Sequence, residues 1–80
     1  MQEFPKIEQN EYAILFAEKN TGIVVDQYGE RHIQKPYQKM YMMVGSYEEA
    51  ESLIVSRLLK QPHLEGCIFN SLQEILKVID

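Results

Sequence analysis

The side chains best suited to chemistry are few and scattered. One cysteine, Cys67, stands four positions after His63. A nucleophilic cysteine needs a base within hydrogen-bond reach and a third group to orient that base. Pro62 and Gly66 keep this stretch out of a helix, so a spacing of four does not bring the two side chains onto one face. Cys67 also runs directly into Ile68-Phe69, the setting of a core strand, where a free cysteine behaves as a small hydrophobe. His32, His63 and Cys67 fall short of the clustered four-ligand set of a structural zinc site. The glycines at 22, 29, 45 and 66 are isolated, and none belongs to a phosphate-cradling or dinucleotide-binding pattern. The acids are dispersed, and Glu48, Glu49 and Glu51 fit the start of a helix. The expectation is a non-enzyme with no catalytic residue, no metal, no cofactor and no small-molecule substrate.

One charge asymmetry stands out. Between Arg31 and Gly45 there are three cations, Arg31, Lys35 and Lys39, and no acid, with His32, Tyr37 and Tyr41 among them. The rest of the chain has five cations against twelve acids. Tyrosines interleaved with cations can anchor and orient a protein partner. The same strip could track a single strand of nucleic acid by stacking and phosphate contact. The net charge of −4 opposes approach to a polyanion. The contact patch expected on this ground is Tyr28, Arg31, Lys35, Tyr37, Lys39 and Tyr41.

The elements that must position these residues are legible in part. Residues 1–10 are polar, contain Pro5, and read as a loosely held arm ahead of a single domain over 11–80. Tyr12 to Ala17 alternates with apolar residues on both faces, the pattern of a strand inside a sheet. Gly22 can take a positive φ in the turn that follows, and Ile23-Val24-Val25 makes a second strand. Asp26-Gln27-Tyr28-Gly29 suits a type I turn, leading to a third, polar strand over Glu30 to Lys35 that reads as a sheet edge able to accept an added strand. Tyr37 to Val44 is extended again, with Met40, Met42 and Val44 on one face and Tyr37, Tyr41 and Met43 on the other.

Ser46-Tyr47-Glu48-Glu49 is a capping box, and Tyr47, Ala50, Ile54 and Leu58 recur at helical spacing. This predicts a helix over about 46–60, stopped by Pro62. Leu64 to Phe69 is a short strand. The tail has two readings. Asn70 to Gln73 can be a turn with Glu74 to Ile79 returning as a strand, or Ser71 and Glu74 can head a short helix; the β-branched ending favours the strand. The predicted fold is α+β: an antiparallel sheet of 4–6 strands with one long helix on one face, in the order β-β-β-β-α-β-β, the last element a strand or a helix.

Eighty residues hold one domain. A chain this short buries little more than ~60% of the surface its unfolded form exposes, and one cysteine cannot add an internal disulfide. No apolar run approaches the ~18 residues of a membrane span, and Met1-Gln2-Glu3-Phe4-Pro5 lacks the basic start of a secretion signal. Together with a lone cysteine this points to the cytoplasm and away from membranes. One helix covers only one face of the sheet, so Tyr37, Tyr41 and Met43 need cover from the arm, a terminal helix, a second copy or a partner.

Tyr12-Ala13-Ile14-Leu15-Phe16, then Gly22-Ile23-Val24-Val25, then Ser46-Tyr47-Glu48-Glu49-Ala50 resembles the HicB-type antitoxin domain. That family opens on a hairpin and reaches a helix headed by a Ser/Thr-x-Glu-Glu-Ala segment. The likeness covers about half of the chain, and the family's Pro-Asp-Leu-Pro-Gly stretch between sheet and helix is missing here. The resemblance implies layout alone, and no functional residue is carried over. The expectation is a small interaction domain, an inhibitor of the immunity or antitoxin kind, whose partner is another protein. The alternatives are a single-stranded nucleic-acid binder using residues 31–41 and a structural homo-oligomer.

Overall fold

The computed structural model describes residues 7–26, 31 and 41–80. Among these the chain runs β1 (Tyr12–Glu18), β2 (Val24–Val25), β3 (Tyr41–Val44), α1 (Tyr47–Lys60), β4 (Leu64–Phe69) and β5 (Ile75–Ile79). The five strands form one antiparallel sheet and α1 packs on one face of it, the two-layer α+β architecture the sequence predicts. The strand expected over 30–35 and the start of the one expected over 37–44 lie outside the described residues. Arg31 is described, and it forms an isolated antiparallel bridge with Val25.

β1 is the middle of the sheet because it is apolar on both faces. β4 occupies one of its edges, from Ala13 opposite Phe69 to Glu18 opposite Leu64. Two strands share the other edge. Val25 of β2 lies opposite Phe16, and Tyr41 of β3 lies opposite Leu15, the very next position. β2 and β3 therefore act together as one partner strand along that edge. β5 completes the sheet by pairing with β4, with a register shift between Ile68 and Phe69.

Alternation sorts the strands into two faces. Ile14, Phe16, Val25, Val44, Leu64 and Ile68 point at the helix and form the main core with Ala50 and Ile54 of α1. Ile14, Phe16, Leu64, Ile68 and Ile54 are fully buried. Each such side chain contributes about 1.5–3 kcal/mol relative to exposure. Tyr12 and Tyr47 meet edge-on at 6.0 Å where α1 begins, and the Arg57 guanidinium lies 5.3 Å from the centre of the Phe16 ring near its other end.

The helix starts and stops where the sequence says. Ser46 is extended, and its Oγ accepts from the Glu49 backbone N–H at 3.0 Å, satisfying one of the free donors of the first turn. Glu48 and Glu49 sit in the first turn and Arg57 and Lys60 in the last, each matching the helix dipole. The Gln61 N–H closes the last turn on the Arg57 carbonyl at 2.8 Å, and Pro62 prevents continuation.

Two turns are built by side chains. After β1, Gly22 has φ 72°, and Thr21 Oγ1 accepts from the Ile23 N–H while donating to Glu18. After β4, Asn70 organises the hairpin. Its Oδ1 accepts from the N–H groups of both Leu72 and Glu74 at 2.9 Å, and its Nδ2 donates to the Glu74 carboxylate. That turn settles the tail as a strand. It also holds Gln73 at φ 62°, in the left-handed region.

Candidate functional site

The sheet face opposite α1 is one of the places where the described residues leave apolar side chains exposed. Ala13 and Leu15 of β1 lie at its centre, flanked by Tyr41 and Met43 of β3 on one side and Cys67 and Phe69 of β4 on the other. β5 extends it through Val78, opposite Cys67, and Ile75, opposite Phe69. Ile7, ahead of β1, is buried against Ala13 and Phe69 and covers part of this surface. Met43 remains 38% exposed, Val78 47% and Ile75 58%. Among the described residues no helix lies on this side.

Two members of the patch expected from the sequence are described, and the fold does not bring them together. Tyr41 is on this open face, half-buried, its ring edge-on to Phe69 at 6.3 Å between centroids. Burial pushes its phenol pKa above the ordinary value. Arg31 pairs with Val25, a helix-face residue, at the outer edge of β2. Its guanidinium grips Glu18 with two bonds, Nε to Oε2 at 2.8 Å and Nη2 to Oε1 at 3.1 Å. This bidentate bond and the Thr21 hydroxyl, in that order, hold the Glu18 carboxyl below its usual range, and Glu18 in turn raises Arg31. Register therefore separates Tyr41 and Arg31 onto opposite sides of the sheet. Tyr28, Lys35, Tyr37 and Lys39 lie outside the described residues.

Cys67 is half-buried on the open face. Burial, with the Glu65 carboxylate as the smaller cause, pushes its thiol pKa up, away from the thiolate a nucleophile needs. His63 precedes β4 in an exposed turn. Four residues of extended chain span about 13 Å, so the two side chains point to no common centre. Among the described residues no three of His, Cys, Asp or Glu converge in a way that could hold a metal ion.

Sequence reasoning favours β5 as a strand but does not place it on the open face. Ile75, Leu76, Val78 and Ile79 do not alternate, and only the register against β4, with its shift between Ile68 and Phe69, sets Val78 opposite Cys67 and Ile75 opposite Phe69. Comparison with protein-family models, curated proteins and solved structures finds no match for this chain. The HicB-type likeness thus rests on the segments quoted above. No helix among the described residues is long and apolar enough to cross a membrane.

Proposed function

We propose that this chain is a small, non-enzymatic protein-interaction domain that works by surface complementarity in the cytoplasm, as an inhibitor of the immunity or antitoxin kind does. The observation that carries the reading is the exposed apolar surface at Met43, Val78 and Ile75 on the sheet face opposite α1. These exposed side chains stand at the β3 and β5 sides of one face, with half-buried Leu15 and Cys67 between them, and apolar surface left open on a sheet face marks protein contacts. Methionine and tyrosine suit it, the first by adaptable shape and the second by large contact area. Tyr41, braced by Phe69, is an anchor at the border of this surface.

Nucleic acid is the weaker reading. Arg31 spends a bidentate contact on Glu18, and the chain as a whole carries −4. A salt series separates the two: binding to single-stranded DNA or RNA would fall steeply with ionic strength as counterions are released.

The test of the protein reading is a two-step one. A protein that co-purifies with the tagged chain from its native host is purified, and its binding is remeasured by calorimetry with the wild type and with Met43→Lys. The reading expects one-to-one binding that Met43→Lys weakens about tenfold or more. Equal binding by the variant, or steep salt dependence with nucleic acid in place of protein, would overturn it.

A further inference from the structure

We propose that β5 is a self-association edge: two copies pair β5 with β5 antiparallel about a two-fold axis, and Val55 and Leu59 of α1 pack across the seam. The proposal shares Val78 and Ile75 with the partner surface argued above and adds the rim of the sheet and the flank of the helix; Leu59→Lys touches the seam alone and Met43→Lys the partner surface alone, so the two readings fail separately.

β5 ends the sheet, with β4 on one side and no strand on the other among the described residues. Its outer backbone groups are therefore a template for another strand. Natural edges of this kind are guarded by proline, by short length, by lysine or by a β-bulge, and β5 has one such feature, the register shift against β4 near Ile75. β5 has five residues and no proline, and four of the five are apolar. Its single charge, Lys77, is tied down: Nζ lies 2.8 Å from Glu51 Oε2 on α1.

Exposed apolar side chains stand beside the edge on both faces. On the open face these are Val78 and Ile75, as above. On the helix face a shallow groove is lined by Val55, Leu58, Leu59, Pro62 and Ile79, with two charged residues, Lys19 and Asp80, completing it. Val55 and Leu59 are one helical turn apart, 48% and 82% exposed, and lie off the Ala50–Ile54 stripe that makes the core. A leucine that exposed buries little apolar surface within the single chain.

The occupant these walls accept is a strand with apolar side chains on both faces, and β5 is such a strand. Charge chooses the register. An axis centred on Lys77 would oppose two lysines, which is unfavourable. An axis centred on Val78 sets Lys77 opposite Ile79 of the other copy and leaves each Lys77 with its own Glu51. Pairing about an axis normal to the sheet keeps both helices on the same side, so the two Val55–Leu59 flanks face each other and make the contact self-complementary.

The experiment is sedimentation equilibrium on the whole chain from about 1 µM to about 1 mM. The proposal expects the mass to rise from 9.4 kDa to twice that value. Leu59→Lys and Val78→Lys should each weaken the dimer about tenfold or more. Met43→Lys, on the open face away from the rim, should leave it unchanged. Leu59 is so exposed that its variant keeps the fold, which circular dichroism checks. A monomer across the whole range, or a dimer indifferent to both rim variants, would overturn the proposal.

Discussion

Gly66 of β4 lies directly beneath Ile54 of α1: a methyl group on its Cα would stand 2.6 Å from Ile54 Cγ2 and 2.9 Å from Cγ1. Ile54 is fully buried and β-branched, so it has little freedom to retreat. The missing side chain is what lets the helix settle on the sheet at this point. Gly66→Ala is therefore expected to destabilise the domain by about 1–3 kcal/mol through overpacking. In an Ile54→Ala background the same change should cost much less, and a denaturation double-mutant cycle measures the difference. Additive costs would mean that the contact at Gly66 does not set the helix position.

Ser46 closes the first turn of α1 through a single oxygen. Ser46→Ala should cost about 1 kcal/mol, and Ser46→Asp should restore most of it, read from urea midpoints.

Asn70 serves two backbone donors that the hairpin turn leaves without other acceptors. Asn70→Ala is expected to cost about 1–2 kcal/mol and to speed hydrogen exchange in β5 ahead of β1. Gln73, at φ 62°, offers the opposite sign. Gln73→Gly removes the left-handed penalty of about 1–2 kcal/mol while adding freedom to the unfolded chain, so a gain of a few tenths of a kcal/mol is the expected net result.

Glu18 gives a pH signature. Its carboxyl is held below the ordinary range by Arg31 first and Thr21 second. A depressed carboxylate lends stability that is fully present above its unfolded value, about 4.3, and is lost as pH falls through the lower folded value. A carbon-detected NMR titration should find Glu18 titrating below the ordinary glutamate value, and Arg31→Ala should move it back up. An unchanged midpoint in Arg31→Ala would show that the pair does not persist in solution.

Much of this fold is legible in the sequence where the signals are local. Ser46, the acids after it and Pro62 bracket α1, and two-faced alternation from Tyr12 to Ala17 marks β1 as central. The tail was ambiguous for a physical reason: Ser71 and Glu74 mimic a helix start, and only the Asn70 bonds and the pairing of β4 with β5 decide between the two. What no local pattern reveals is register. The sharing of one β1 edge by Val25 and Tyr41, and the grip of Arg31 on Glu18 across thirteen positions, are consequences of tertiary pairing. For that reason Arg31 and Tyr41, ten positions apart in one basic and aromatic strip, fall on different faces, whereas the exposed side chains of Met43, Val78 and Ile75 share one face though they lie far apart in the chain.

The central claim is that the sheet face opposite α1 is the contact surface for another protein. The most direct measurement is calorimetric binding of the purified partner to three chains: wild type, Met43→Lys on that face, and Ser56→Lys on the exposed side of α1. The account predicts that Met43→Lys loses about tenfold or more in affinity while Ser56→Lys binds as wild type. Loss with Ser56→Lys and retention with Met43→Lys would contradict it and move the contact to the helix.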